Sequence, residues 1–118
     1  MKHSPMFIRP ECVSRLLSSG LVQYDHEYFR AVWLDWIFTF SDGQNLCWNN
    51  LWQNFLRGNL PLPQQSALKG WPGNSSYMAD IFKRHPAWKT VIVSDGKGNF
   101  WLHLPEEILF SVGYDIPA

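Results

Sequence analysis

The stretch that decides the fold is residues 74–104, with the sequence NSSYMADIFKRHPAWKTVIVSDGKGNFWLHL. In its first part, apolar residues recur at helical spacing until Pro86, which predicts a helix near residues 75–85. In its second part, two runs rich in β-branched and aromatic residues surround a glycine-containing loop. That arrangement predicts strands near 89–94 and 99–104 that pair as a β-hairpin.

Apolar periodicity also predicts helices in the first half of the chain. A first helix, near residues 10–19, begins with proline and glutamate and ends at Gly20, a residue type that is common just after helices. A second helix, near residues 25–40, carries a wide aromatic stripe that includes Trp33 and Trp36. This helix is predicted to form the spine of the core, so both indoles are expected to be buried.

The remaining segments fit a single domain. A third helix is predicted near residues 46–57, and the proline- and glycine-rich residues 59–73 then form a long connection. Residues 1–9 are expected to be a loose arm, and residues 114–118 a frayed tail. With 118 residues the chain has the length of one domain that buries its own core, so we assign residues 1–118 to a single domain.

The order of the predicted elements defines the expected fold class. It is α+β, a mainly helical small domain with a C-terminal β-hairpin, and it is winged-helix-like. In winged-helix domains one helix enters the DNA major groove, and a hairpin beside it reaches the neighbouring backbone. The helix near 75–85 and the hairpin after it are therefore the expected DNA-contacting unit.

Charge favours nucleic-acid contact locally, although not over the whole chain. Ten basic and ten acidic residues balance to zero, whereas residues 74–104 carry four basic residues against two acids. Cations, and hydroxyl groups near a helix N-terminus, suit contacts with phosphate. The predicted nucleic-acid-binding residues are Ser75, Ser76, Lys83, Arg84, Lys89 and Lys97. The first functional hypothesis is a nucleic-acid-binding or regulatory module with DNA as its partner.

An aromatic excess supports a second hypothesis. The chain contains seven Trp, eight Phe and four Tyr, whereas charged residues make up 17%. Tryptophan and tyrosine dominate the hot spots of protein interfaces. The predicted partner-binding residues are Trp48, Trp52, Trp71, Trp88 and Trp101. The chain would then be a small non-enzymatic protein-binding module, such as an inhibitor, an immunity protein or an adaptor of a mobile element. A self-complementary form of that surface would give a homodimer.

Motifs associated with catalysis or cofactors are absent from the sequence. It has no GxSxG, P-loop, GxGxxG or HExxH motif, and the Gly-Lys-Gly of residues 96–98 links two predicted strands instead of opening a helix. Cys12 and Cys47 form no CxxC, and they give no zinc spacing with the four histidines. We therefore expect no enzyme activity, no cofactor, no metal and no small-molecule substrate.

The sequence also leads to expectations about membrane contact and cellular location. No apolar run approaches the roughly 18 residues that a bilayer-spanning helix needs, and the first ten residues lack the apolar core of a signal peptide. We therefore expect no membrane contact, two buried free thiols and a cytoplasmic location.

Overall fold

The structure, a computed structural model, describes residues 7–73 and 77–112. Its elements in chain order are α1 (Pro10–Ser18), β1 (Val22–Asp25), β2 (Arg30–Trp33), β3 (Trp36–Thr39), α2 (Asp42–Leu56), β4 (Leu62–Pro63), α3 (Gln64–Ala67), α4 (Met78–Ile81), β5 (Ile92–Ser94), β6 (Asn99–Leu102) and α5 (Glu106–Ser111). Within the described residues this is a small α+β domain with two three-stranded antiparallel sheets. The first sheet has the strand order β1-β2-β3, and the second has the order β4-β6-β5.

The first sheet is a meander in which β2 is the central strand. Trp33 at the end of β2 pairs with Trp36 at the start of β3 across a two-residue turn. The loop between β1 and β2 is fixed by Asp25, whose Oδ1 accepts hydrogen bonds from the backbone N–H groups of Glu27 (3.1 Å) and Tyr28 (3.2 Å). Such side-chain bonds within a loop are typical of aspartate, and they set the direction in which β2 returns.

This sheet occupies the residues of the expected helix near 25–40, and that expectation is wrong. Phe29 and Leu34 have positive φ angles of 53° and 55°, which place a turn on each side of β2. The helical stripe was a false indication because apolar residues occupy most positions of this segment, so they fit a period of 2 as well as a period of 3.6. The β-branched and aromatic residues of the segment favour pleated strands.

The long helix of the domain is α2, which begins at Asp42 whereas the predicted helix began near residue 46. A capping box explains the earlier start. The hydroxyl of Ser41 accepts from the N–H of Gln44 at 3.4 Å, and Oε1 of Gln44 accepts from the N–H of Ser41 at 3.0 Å. The two bonds satisfy backbone donors that the first turn of a helix otherwise leaves open.

The core lies where α2 packs against both sheets. Trp33 of β2 is fully buried, and its ring contacts those of Trp48 and Phe55 on α2, with centroids 6.0 and 5.1 Å apart. On the other side α2 contacts β6 of the second sheet. Nε1 of Trp33 donates to the carbonyl oxygen of His103, directly after β6, at 2.9 Å. The two sheets are thus joined through one helix and one indole.

The second sheet is completed by a side chain. Its central strand β6 pairs on one edge with β5 and on the other with the two-residue β4. Beyond β4 the edge is continued by Asn59, a buried residue with a positive φ of 59°. Its Nδ2 donates to the carbonyl oxygen of Leu102 at 2.7 Å, and its Oδ1 accepts from the Leu102 N–H at 3.2 Å. The amide therefore replaces a neighbouring strand and satisfies buried backbone groups.

The expected helix near 75–85 is reduced to α4, which covers Met78–Ile81. Residues 74–76 lie outside the described residues. Arg84 has a positive φ of 67°, so residues 82–85 form a turn and do not continue the helix. β5 and β6 pair where the hairpin was expected, but β6 is buried in a three-stranded sheet against α2. A mainly helical, winged-helix-like fold with a projecting wing is therefore wrong.

The expected arm at residues 1–9 is described from Phe7 onward. Ile8 is buried, and its N–H donates to the carbonyl oxygen of Gly58 at 2.8 Å. The ring of Phe7 lies so close to Gly58 that an added Cβ would be 2.2 Å from the ring. Residues 7 and 8 are therefore docked on the end of α2. Residues 113–118, which include the expected tail, lie outside the described residues.

Candidate functional site

The four predicted DNA-contacting cations are all exposed, and the structure places each of them outside a helix. Lys83 and Arg84 are in the turn after α4, and Lys89 precedes β5. Lys97 lies at the tip of the β5–β6 hairpin, so Lys89 and Lys97 are at opposite ends of β5. The predicted serine contacts at residues 75–76 are outside the described part of the chain.

The tip that carries Lys97 is held by an aspartate. Oδ1 of Asp95 accepts from the N–H of Lys97 at 2.7 Å, and Oδ2 accepts from the side-chain amide of Asn99 at 2.8 Å. The bond from the Asn99 side chain, followed by the bond from the Lys97 backbone, lowers the pKa of Asp95 below its ordinary value. Asp95 therefore fixes the loop and places a negative charge beside Lys97.

Three of the five predicted partner-binding indoles are buried. Trp48, Trp52 and Trp101 are 0%, 7% and 3% exposed. Their rings are not available to a partner in this structure. These three members of the aromatic excess thus contribute to packing within the domain and not to its surface.

The other two predicted indoles are half-buried against the domain. Trp71 lies on the first turn of α2, where a Cβ added to Gly43 would be 3.0 Å from its ring. Trp88 stacks on Phe82, with ring centroids 6.3 Å apart and an interplanar angle of 8°. The packing of both rings accounts for most of their area, so they present edges and not a continuous aromatic surface.

His85 is the titratable side chain with the best-defined structural role. Its Nε2 donates to the carbonyl oxygen of Thr39 at 2.8 Å, and its Nδ1 accepts from the N–H of Ala87 at 3.0 Å. The ring stacks on Phe40, with centroids 5.2 Å apart. Burial lowers the pKa of His85, in opposition to the weaker effect of the Thr39 bond. The neutral ring therefore links β3 to the turn after α4 through its hydrogen bond to Thr39.

Neither thiol is placed for chemistry. Cys12 and Cys47 are both free and buried, and burial raises the pKa of Cys47 to about 12. A protonated, buried thiol is a poor nucleophile and a poor metal ligand. Across residues 7–73 and 77–112 no group of three or more His, Cys, Asp or Glu side chains is arranged to hold a metal ion. No helix in these ranges combines the length and apolar character needed to cross a membrane.

The outer face of the first sheet presents a mixed polar and apolar surface. We define this outer face as the side chains that point away from α2, which are Gln23, Asp25, Arg30, Val32, Ile37 and Thr39. The strand register arranges them in two rows across the sheet, Gln23–Val32–Ile37 and Asp25–Arg30–Thr39. Ile37 is 63% exposed. Val32 and Ile37 of the first row therefore form an apolar strip on the surface, and Asp25 and Arg30 of the second row place charges beside this strip.

A pocket of about 310 Å³ opens on this face beside the β1–β2 loop. Its lining residues are Gln23, Tyr24, Asp25, Tyr28, Arg30 and Val32. The ring of Tyr28 stands at the rim and is 77% exposed. Ligand pockets span roughly 300–1,000 Å³, so this pocket has room for a side chain or a short peptide segment.

Three of the lining side chains keep open hydrogen-bonding groups. The guanidinium of Arg30, the hydroxyl of Tyr28 and the amide of Gln23 form no hydrogen bond or ion pair with the part of the chain that the structure describes. Tyr24 differs, because its hydroxyl donates to Oδ1 of the buried Asn45 at 2.6 Å. The three residues thus line the pocket from two strands and a loop.

Asp25 adds a carboxylate next to the open guanidinium. Asp25 and Arg30 lie directly opposite each other on β1 and β2, yet no ion pair joins them. Oδ1 of Asp25 is occupied by the β1–β2 loop. Burial, and to a smaller extent the charge of Asp25, raise the pKa of Tyr24 far above its ordinary value. The pocket therefore contains one available cation and one carboxylate that is partly engaged.

The sequence analysis did not find this surface. The outer face lies in the segment that was assigned to a helix, where Arg30 and Val32 would not share a face. The available indication was alternation along β1, where Val22 and Tyr24 are apolar and Gln23 and Asp25 are polar. Four residues of alternation were too short to outweigh the longer aromatic stripe.

Comparisons with protein-family models, with curated proteins and with solved structures gave no match.

Proposed function

We propose that the protein is a non-enzymatic protein-binding module that docks its partner on the outer face of the first sheet. The observation that carries the proposal is the pocket beside Arg30, where an open guanidinium and the exposed ring of Tyr28 adjoin the apolar strip that ends at Ile37. Tyrosine and arginine next to apolar side chains are the composition of interface hot spots. This class of function is that of the second hypothesis from the sequence, but the residues are different from the indoles expected there.

A rigid support favours the same proposal. The inner face of β2 is fixed by Trp33, whose ring is packed on α2 and hydrogen-bonded to the chain after β6. The pocket side is fixed by Tyr24 on Asn45 and by Asp25 in the loop. A backbone that is held in place before binding loses less conformational entropy on association.

Site-specific photo-crosslinking in cells that express the protein natively tests this proposal. A benzoylphenylalanine at position 28 or 37 should give a discrete protein adduct. The matched control is the same residue at Leu60, which is also an exposed apolar position (51%) but lies outside the outer face. Adducts of equal yield at the control position, or no adduct at positions 28 and 37, would contradict the proposal.

Nucleic-acid binding is the second candidate function. What favours it is that Lys83, Arg84, Lys89 and Lys97 are exposed and form no ion pair with the described residues. With the crosslinker moved to position 83 or 97, nuclease-sensitive adducts would support this candidate in place of the first. Affinity for DNA that falls steeply with salt would be its second signature.

A cytoplasmic location belongs to the proposal as well. The two thiols are free and buried, which suits a reducing compartment.

A further inference from the structure

We infer that the outer face binds an extended peptide segment in which an acidic residue and an apolar residue are two positions apart. The acidic side chain binds Arg30, and the apolar side chain packs on Val32 and Ile37. This inference rests on the proposed function and specifies the chemistry of the partner.

The area of the outer face fits a short peptide better than the surface of a folded protein. Three strands of four residues cover about 14 Å by 13 Å, from a strand spacing of about 4.8 Å and a rise of about 3.3 Å per residue. A stable interface between two folded proteins buries about 800 Å² on each partner. The outer face supplies about a quarter of that area, which corresponds to a short extended segment.

The charge of the segment follows from the open groups. Arg30 lines the pocket, and its guanidinium forms no hydrogen bond or ion pair with the described residues, so it can donate two parallel hydrogen bonds to a carboxylate. Tyr28 and Gln23 line the same pocket, and their hydroxyl and amide groups can donate further hydrogen bonds. Three donors around one cavity suit an acceptor-rich ligand, and a carboxylate has four acceptor sites.

The spacing follows from the strand. Arg30 and Val32 are two residues apart on β2, so their side chains leave the same face about 6.6 Å apart. Residues i and i+2 of an extended peptide have the same separation and the same direction. A segment that runs along β2 therefore places its acid on Arg30 and its apolar residue on the strip formed by Val32 and Ile37.

Asp25 provides a second test of the inference, because its carboxylate lies opposite Arg30 and repels the carboxylate of an incoming peptide. Removing that charge should strengthen binding, whereas removing the charge of Arg30 should weaken it. Asp25→Asn is suited to this test, since an asparagine keeps the Oδ1 acceptor that holds the β1–β2 loop. Opposite effects at two facing residues are not expected from a change in folding.

The experiment uses three labelled, acetylated and amidated peptides, SESLSESL, SQSLSQSL and SKSLSKSL, with binding to the full chain followed by fluorescence anisotropy. The glutamate peptide should bind about two- to fivefold more tightly than the glutamine peptide, which is the difference expected from one exposed ion pair. Arg30→Gln should remove that difference. Asp25→Asn should raise the affinity for the glutamate peptide and leave the glutamine peptide unchanged. Lys83→Gln removes the same charge elsewhere and should change nothing.

The inference is overturned if none of the peptides binds, if all three bind equally, or if Arg30→Gln has no effect. These results do not by themselves remove the proposed function. That function fails separately, when crosslinkers at positions 28 and 37 capture no protein. A positive peptide result that is lost in Ile37→Ser, with an unchanged circular dichroism spectrum, would confirm that the apolar half of the segment uses the strip.

Discussion

Nε1 of Trp33 donates a hydrogen bond of 2.9 Å to the carbonyl oxygen of His103, and this bond joins the two sheets of the domain. Trp33 lies on β2, the strand that carries Arg30 and Val32 on its opposite face. The core of the domain and the proposed docking surface are therefore the two faces of one strand. The stability predictions below test the inner face, and the binding measurement tests the outer one.

Trp33→Ala should lower the free energy of unfolding by about 3–5 kcal/mol, because it removes a fully buried indole. Trp36→Ala should cost about 1 kcal/mol, since that ring is 43% exposed and stacks mainly on Phe38. Urea denaturation of both variants checks the difference. The helix first expected for this segment buries both rings, so equal losses would favour the helix over the sheet.

Asn59→Gly should lower the free energy of unfolding by about 1–3 kcal/mol, because the backbone N–H and C=O of Leu102 lose their partners in a buried site. Glycine accepts the positive φ of position 59, so the loss contains no backbone strain and combines the lost side-chain bonds with the larger entropy of glycine in the unfolded chain. Asn59→Ala should cost about 1 kcal/mol more, as an alanine is strained at positive φ. Faster amide hydrogen exchange at Leu102 should accompany both losses, and unchanged exchange would rule out the strand-replacing role of Asn59.

Stability should decrease as the pH falls below 6.5, and His85 should be one cause. Its pKa is lowered in the folded protein from an ordinary value of 6.5, chiefly by burial. The unfolded chain therefore binds the proton first, and the contribution of the neutral ring is complete above pH 6.5 and is lost as the pH falls toward the folded-state pKa.

His85→Gln should flatten the pH dependence of the free energy of unfolding below pH 6.5, where the unfolded chain takes up the proton before the folded protein does. His26→Gln is the matched control, because it makes the same substitution at an exposed histidine outside the contact between β3 and the turn after α4. A slope that is the same in the parent and in His85→Gln would show that another group is responsible.

Gly98→Val should lower the free energy of unfolding by about 1–2 kcal/mol through backbone strain alone. Gly98 has a φ of 85°, and a Cβ added there would meet no atom within 4 Å. Gly98→Asn should therefore cost less, because asparagine tolerates positive φ better than valine. If urea denaturation gives the same loss for both, strain at this φ is not the cause.

The sequence predicted the elements that local chemistry determines. The proline-first helix near 10–19 corresponds to α1, and the predicted helix near 46–57 overlaps most of α2. The paired strands around residues 95–98 lie close to their expected positions, because the loop carries its own bonds through Asp95. The local sequence pattern did not predict that β4 pairs with β6 as a third strand. This pairing joins Leu62 to Phe100, which is far away along the chain.

The outer face could not be predicted because it depends on strand register. A shift of one residue would turn Arg30 and Val32 inward and bring Ala31 to the surface. That register is determined by the turns at Phe29 and Leu34, two residue types for which a positive φ is not expected. The packing of Trp33 against α2 favours the same register, because it places Trp33 on the buried face.

Amide shift mapping of the full chain by two-dimensional nuclear magnetic resonance tests the central claim most directly. On titration with SESLSESL, the amide signals of residues 23, 30, 32 and 37 should move together and saturate, and in Arg30→Gln they should stay in place. Shifts confined to the cations at residues 83, 89 and 97, or no saturable shift in the first sheet, would contradict a docking surface on its outer face.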